Sequence, residues 1–261
     1  MPEQADESRL KLTIVALVAL VAVTVAVPLF ILLLIVGRLW WIAPIIGLIV
    51  GVSVVWHLHR SAFRRVMQAF VPIAGNDVAR ARLENLVEGL SLSIGTSEPE
   101  LLVVADEARN ALAVARGDEK AIIITDSLLV ALDRIELEGV VAALLIRLKN
   151  GDAERATSMA SLVGKPFLDS GMSTIAAPLG GLLLRRNLSE YRDILSDQQA
   201  VAITRYPPGL SAALGRIAVV SAAPLAATPG TDHLWMVPPA RLDSLVPHAP
   251  LDWRVEALLE T

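Results

Sequence analysis

The chain has no cysteine and only four histidines among its 261 residues. Without cysteine it can form neither a disulfide framework nor a thiolate metal site. It also lacks an excess of basic charge, since its formal net charge is −4 and its isoelectric point is about 5.6. Proteins that bind nucleic acid usually carry a basic patch, so we expect no nucleic-acid partner. The chain shows no internal repeat and no low-complexity tract.

Charge is missing from two long stretches near the N-terminus. The chain is 54% hydrophobic with a mean hydropathy of +0.57, which is too apolar for an ordinary soluble domain. No residue is charged from Leu12 to Val36 or from Leu39 to Trp56. At about 1.5 Å per residue, each stretch can cross a hydrocarbon core of roughly 30 Å. We therefore predict a transmembrane helical hairpin over residues 12–56, with its turn at Gly37–Arg38.

The first stretch has a rival interpretation as a cleaved signal peptide. Its apolar core is longer than the about 7–15 residues typical of such a peptide, so an uncleaved anchor is favoured. The cations Arg60, Arg64 and Arg65 follow the second stretch. Because Lys and Arg stay preferentially on the cytoplasmic side, both termini are expected to be cytoplasmic. The same cluster is expected to face anionic lipid headgroups.

These boundaries predict three segments: an N-terminal tail over residues 1–11, the hairpin, and a cytoplasmic domain over residues 57–261. The last segment is large enough for one hydrophobic core. Its composition, rich in Ala, Val and Arg, is typical of a GC-rich bacterial source. The expected location is therefore the bacterial plasma (inner) membrane, which the chain crosses more than once.

Within the cytoplasmic segment the residue pattern predicts helices and a small sheet. Residues 61–92 carry apolar residues at helical spacing, and short Val- and Ile-rich runs at 101–106, 110–114 and 121–125 are typical of strands. Asp133 and Glu136 have the spacing of a capping box, and Asn150–Gly151 ends the helix that follows. This helix is apolar on most of its circumference, so we expect it to be central and buried. The uncharged stretch Ser170–Leu184 is too short for a third span, so we interpret it as a core or interfacial segment.

An ordered set of short motifs is similar to one known family. They are Asn85 with Glu88–Gly89, a strand ending at Asp106, Asn110-Ala111-x-Ala113, T-x-x-L-L from Thr125, Glu136-Leu137-x-Gly139-Val140, Asn150-Gly151-Asp152, "YRDILSDQQAVAITRYPPGL", "HLWMVPP" and "HAPLDWRVEALL". Over most of residues 80–261 the chain resembles the M48 (HtpX-like) membrane zinc metallopeptidases. The resemblance implies an α+β, mainly helical fold, in which a gluzincin-like domain with a small β-sheet follows the transmembrane hairpin.

The chemistry of that family depends on a His-Glu-x-x-His helix, whose histidines bind zinc and whose glutamate is the general base. A later helix supplies a third ligand. On the register that the resemblance implies, Ala143, Leu144 and Arg147 stand at the first ligand, the base and the second ligand. The third ligand position is Asp193, and Asp197, one turn later, is expected to have a structural role. The four histidines offer no replacement at ligand spacing, so we predict that zinc is lost and that no cofactor is bound.

The degenerate register suggests what replaces the metal. We predict that the Arg147 guanidinium pairs with the Asp193 carboxylate, in a bidentate geometry if the side chains allow it. The alternative is that both are solvated residues on separate helices. The resemblance also implies that Asn110, Ala111 and Ala113 belong to an edge strand that pairs with an extended peptide, a mode that needs no metal. His248 is expected to cap or pack the last helix.

Three functions remain open at this point. The leading hypothesis is a catalytically inactive peptidase relative that acts as a scaffold, regulator or binding subunit of a membrane protein complex. Its partners would be the lipid bilayer and either other membrane proteins or a peptide segment. The rival is a membrane-bound zinc endopeptidase of protein quality control that uses a non-standard site. The third is a purely structural subunit whose former cleft is filled by Leu144.

Overall fold

The computed structural model describes residues 2–35, 40–73, 77–169, 173–189, 191–219, 222–239 and 248–260. The chain divides into two compact units, Met1–Ala62 and Phe63–Thr261. It is mainly helical with a small sheet, so the predicted α+β class is confirmed.

The first unit contains two apolar helices. Helix α1 (Pro2–Ile35) includes the predicted tail, so helix continues through residues that were expected to precede the span. Helix α2 (Ala43–Arg60) follows a short 3-10 turn, Trp40–Ile42. Both helices are long and apolar enough to cross a membrane, α1 over Ser8–Ile35. The predicted turn at Gly37–Arg38 lies outside the described residues.

The two helices of this unit approach closely at glycines of α2. A Cβ atom at Gly47 would lie 2.5 Å from the Ala22 carbonyl oxygen, and one at Gly51 would lie 2.6 Å from that of Val18. Small residues spaced four apart permit such backbone contact between apolar helices, which have little other driving force to associate in lipid. The hairpin is therefore held by close packing of α2 on α1.

The remaining elements belong to the second part of the chain, and their bounds follow in chain order. They are α3 (Ala62–Met67), α4 (Asp77–Ile94), β1 (Glu100–Val104), β2 (Ala111–Arg116), β3 (Glu119–Thr125), α5 (Asp126–Ala131), α6 (Arg134–Lys149), α7 (Asp152–Met159), a π-helical segment (Ala160–Leu168), α8 (Ser173–Asn187), α9 (Tyr191–Thr204), α10 (Pro207–Ala218) and α11 (Leu251–Leu259).

The helix predicted over residues 61–92 is interrupted, which corrects the sequence pattern. Helix α3 ends at Met67, and Pro72 forms an isolated antiparallel bridge with Val104 before α4 begins. Proline lacks the backbone N–H that a helix interior needs, and it favours the extended conformation of the residue before it. The apolar face of α4, including Leu83 and Val87, packs into the core.

The three predicted strands are present as one sheet in the order β1-β3-β2. Strand β1 is parallel to β3, and β2 is antiparallel to β3 through a tight turn at Gly117, whose φ is 60°. Strand β2 is therefore at the edge of the sheet, and its outer side faces the segment before α11. All strand residues from Ala111 to Ala115 are buried.

Helix α6 is the centre of the second unit. Its N-cap Asp133 accepts a hydrogen bond from the Glu136 backbone N–H at 2.8 Å, and the Glu136 side chain accepts from the Asp133 N–H at 2.9 Å. The helix ends at Asn150, before Gly151 with a φ of 75°. Every residue from Gly139 to Leu148 is buried, so the predicted capping box, the stop and the central position are all confirmed.

The stretch predicted as a core or interfacial segment forms most of α8. Its first residues, 170–172, lie outside the described part of the chain. Gly180 packs on the π-helical segment and Leu184 is fully buried, while Leu179 and Leu182 are exposed. Helix α8 therefore contributes one face to the fold and presents a partly apolar face outward.

Candidate functional site

Helices α6 and α9 bring Arg147 and Asp193 together at the centre of the fold. The Arg147 Nη2 atom donates to Asp193 Oδ1 at 2.9 Å, and the two side chains are 8% and 1% exposed. The structure thus places the two side chains in contact, as the register implied. The contact is one hydrogen bond and not the bidentate pair. The other carboxylate oxygen, Oδ2, lies 3.1 Å from His248 Nδ1.

Asp193 is surrounded by positive and donor groups. Arg192 Nε lies 3.6 Å from its Oδ1 atom, in addition to the contacts of Arg147 and His248. Burial alone would raise the pKa of Asp193, but the Arg147 guanidinium, the His248 hydrogen bond and Arg192 together hold that pKa far below its usual range. The carboxylate is therefore ionised at neutral pH.

Burial lowers the pKa of two side chains that neighbour Asp193, those of Arg192 and His248. Burial lowers the pKa of the Arg192 guanidinium, although Asp193 opposes the change, and Arg192 Nη2 donates to the His233 carbonyl at 2.7 Å. Burial also lowers the pKa of His248 against the pull of Asp193. His248 is thus a neutral imidazole near pH 7, with its Nδ1 hydrogen directed at the carboxylate.

A second buried ion pair lies one turn further along α9. Arg254 of α11 donates from Nε and Nη2 to the two oxygens of Asp197, at 2.7 and 3.0 Å, and from Nη1 to the Met236 carbonyl at 2.7 Å. Burial opposes the charged form of Arg254, yet Asp197 and Asp193 raise its pKa. This pair joins α9, α11 and the segment before α11.

Sequence reasoning assigned Asp197 a structural role but found no partner for it. The available signal was the spacing of α11, where Arg254 stands four residues before the buried Leu258 and hence on the apolar face. His248 was expected to cap or pack the last helix, but the N-cap of α11 is Pro250 and the His248 ring contacts Asp193. Arg192 was not anticipated at all.

The residues at the family's zinc position do not fit a zinc ion. Ala143 and Leu144 are fully buried in the hydrophobic core and carry no donor atom. Arg147 places a permanent cation against Asp193, the one carboxylate left, where it would repel a metal. Within the described ranges no three His, Asp or Glu side chains are arranged to hold a metal ion.

The edge strand that was expected to take an extended peptide is covered by the chain's own residues. Met236 N donates to the Ala111 carbonyl at 2.8 Å, and Leu112 forms an antiparallel bridge with Trp235. Asn110 Nδ2 donates to the Val237 carbonyl at 2.7 Å. Another peptide can pair at this place only after residues 235–237 have moved. Ala113, the third residue of the predicted site, is also buried.

The sequence of the chain is similar to those of several known proteins. A protease HtpX homolog of Dictyoglomus turgidum is 30% identical over 203 residues, which covers 66% of this chain and 67% of the relative. The protease HtpX homolog of Tropheryma whipplei is 30% identical over 222 residues, 75% of each chain. That of Pyrococcus furiosus is 30% identical over 207 residues, 67% of this chain and 72% of the relative. No protein-family model and no solved structure matches the chain. The protein therefore belongs to the HtpX-like branch of the M48 membrane peptidases.

Proposed function

We propose that the protein is a membrane-anchored pseudopeptidase that binds other proteins and does not hydrolyse them. The observation that carries this proposal is the Arg147–Asp193 ion pair, which joins α6 and α9 where zinc would join the two helices in an active relative. A zinc peptidase needs an ion that lowers the pKa of its bound water and a base that accepts the proton. Leu144 cannot accept a proton, and Arg147 occupies the ligand position.

The features that remain are those of a binding protein. Two apolar helices are long enough to anchor the chain in a membrane, and the core carries two buried ion pairs, Arg147–Asp193 and Arg254–Asp197. These features support a scaffold or regulatory subunit of a membrane protein complex, whose partners are the bilayer and a neighbouring membrane protein or peptide segment. Nucleic acid is not proposed as a partner, because the formal net charge of the chain is −4.

The proposed location is the bacterial inner membrane, with both termini in the cytoplasm. Arg60, Arg64 and Arg65 after α2 support this orientation. The absence of cysteine makes the test direct, because an introduced cysteine is the only thiol. In intact spheroplasts a membrane-impermeant maleimide should label Arg38→Cys, in the predicted turn, and leave Glu260→Cys unlabelled until the membrane is opened. The reverse labelling pattern would contradict the orientation.

The rival function is a zinc endopeptidase with a non-standard site, and the names of the relatives favour it, since they are called proteases. A purely structural subunit is a third candidate, favoured by the complete burial of Leu144. A zinc endopeptidase would bind zinc and hydrolyse an unfolded protein such as casein, whereas the pseudopeptidase would do neither. A purely structural subunit would bind no peptide ligand, whereas the pseudopeptidase would bind one.

The register can be tested by restoring the site. The triple variant Ala143→His, Leu144→Glu and Arg147→His should acquire about one zinc ion per chain, because it rebuilds two imidazoles one helical turn apart beside Asp193. Elemental analysis of the purified protein gives the zinc content, and circular dichroism shows whether the variant is folded.

The matched control shifts the same side chains by one position, as Leu144→His, Leu145→Glu and Leu148→His. This variant should acquire no zinc, and adding Asp193→Ala to the restored variant should remove the metal. A restored variant that folds and takes up no more zinc than the shifted control would show that the register is wrong.

A further inference from the structure

Helix α1 contains a proline inside its apolar span. Pro28 lies within the continuous helix, and it is exposed, as is Thr24 four residues earlier. In an α-helix the N–H of residue 28 donates to the carbonyl of residue 24. Proline has no backbone N–H, so the Thr24 carbonyl receives no hydrogen bond from that position. The exposed face of α1 therefore carries a backbone acceptor that the helical ladder leaves unsatisfied.

This acceptor lies well inside the hydrocarbon core. The part of α1 that can cross a membrane is Ser8–Ile35, and Thr24 lies in its middle third. A carbonyl without a donor is costly there, because no water reaches it, and in membrane proteins neighbouring helices or hydroxyl groups supply the missing donor. From residue 12 to residue 36 the only polar side chains are those of Thr13, which is buried, and Thr24.

The Thr24 hydroxyl is a donor that can be redirected. It donates to the Leu20 carbonyl at 2.7 Å. That carbonyl also receives the backbone N–H of Thr24, as in any α-helix, so it stays satisfied when the hydroxyl turns away. The hydroxyl points toward the N-terminal end of the helix and the Thr24 carbonyl toward the C-terminal end, so the two cannot meet within one chain. Thr24 thus offers one free acceptor and one spare donor.

The face that carries Thr24 is turned away from α2. The Ala22 carbonyl lies against Gly47 of α2, and Thr24 lies about 200° around the helix from Ala22, at 3.6 residues per turn. Leu20 and Pro28, one turn before and one turn after Thr24, are exposed as well. Residues four apart form the ridges by which two helices pack against each other. A second helix can therefore approach this ridge without disturbing the hairpin.

We propose that a second copy of this chain packs on this face, so that the two α1 helices cross at Thr24. Each Thr24 hydroxyl donates to the Thr24 carbonyl of the other copy. A two-fold axis along the membrane normal places both residues at the same depth, and such an interface uses the same patch on both subunits. Lipid tails carry no donor and cannot replace this contact. The inference goes beyond the proposed function and holds whether or not the chain hydrolyses protein.

Disulfide cross-linking in isolated membranes tests the proposed face, because the chain has no cysteine of its own. Leu20→Cys and Val27→Cys lie on the same side of α1 as Thr24, so mild oxidation should give cross-linked dimers. The controls are Val15→Cys, about 180° around the helix from Thr24, and Ile49→Cys on α2. These two residues are 63% and 60% exposed and should give little dimer. Equal cross-linking at all four positions would contradict the proposed face.

Energy transfer between donor- and acceptor-labelled chains in phosphatidylcholine vesicles measures the strength of the dimer, with the label on Glu260→Cys. Thr24→Val keeps the size of the side chain and removes the hydroxyl. It should weaken dimerisation about tenfold, because two interhelical hydrogen bonds of ordinary strength are lost. Ser53→Ala removes the exposed hydroxyl of α2 and is the matched control, which should dimerise like the wild type.

Pro28→Ala tests the reason for the contact. Alanine restores the N–H that the Thr24 carbonyl lacks, so the carbonyl is satisfied within one chain and dimerisation should weaken. In the double variant Thr24→Val with Pro28→Ala, the loss should equal the larger of the two single losses, because both changes remove the same hydrogen bonds. A wild type that is monomeric at every protein-to-lipid ratio, a Thr24→Val variant that dimerises like the wild type, or additive losses in the double variant would each overturn the proposal.

Discussion

Replacing Arg254 by methionine is expected to lower the free energy of unfolding by about 4 kcal/mol, the largest effect of any single substitution considered. The change removes both hydrogen bonds to Asp197 and the one to the Met236 carbonyl. It leaves the Asp197 carboxylate, which is fully buried, without a countercharge. A buried ion that loses its partner is destabilising because no water replaces the lost contacts.

Urea unfolding of the detergent-solubilised protein, followed by far-UV circular dichroism, measures this loss. The matched control is Arg80→Met, which removes an exposed i,i+4 pair with Glu84 at 2.9 Å and should cost at most about 0.5 kcal/mol. Arg254→Lys keeps the charge but not the planar fork, so its loss should lie between the two. Equal losses for Arg254→Met and Arg80→Met would contradict the role given to the Arg254–Asp197 pair.

Replacing Arg147 by methionine is expected to cost about 3 kcal/mol. The loss is smaller than for Arg254 because Asp193 keeps its contact with His248 and a more distant one with Arg192. Removing both charges, as Arg147→Met with Asp193→Leu, should cost less than the sum of the two single substitutions, because each of them breaks the same ion pair. The double variant stays less stable than the wild type, since His248 and Arg192 also lose Asp193. A double variant as unstable as the sum of both single variants would contradict direct pairing.

The stability that the Arg147–Asp193 pair provides should decrease as the pH falls. The pKa of Asp193 is lowered in the folded protein, so the ionised carboxylate stabilises the fold fully above the unfolded value of about 3.9. This stabilisation is lost as the pH falls below that value. The difference in unfolding free energy between the wild type and Arg147→Met should therefore be largest near neutral pH and shrink in acid.

Features that depend on neighbouring residues were predictable from the sequence. The capping box of α6 uses Asp133 and Glu136, three residues apart, and the turn at Gly117 joins two adjacent strands. The position of α6 in the core followed from its apolar circumference. The break before α4 had a local cause in Pro72, which the helical spacing around it concealed.

The contacts of His248 and Arg254 with α9 could not be predicted from neighbouring residues in the sequence. His248 meets Asp193 across 55 residues, and Arg254 meets Asp197 across 57. Neither spacing produces a period in the sequence, because long-range pairing depends on how helices pack. The Arg147–Asp193 contact was predictable only because a family register placed both residues at ligand positions. The covering of β2 by residues 235–237 likewise depends on the path of a loop.

The measurement that tests the central claim most directly is the zinc content of the wild-type protein, purified without chelators from cells grown with added zinc. We expect no zinc above that of the buffer, because Arg147 and Leu144 stand at the positions of a ligand and the base. One zinc ion per chain that disappears in Asp193→Ala would contradict it, and would make this chain a metallopeptidase with a different ligand set.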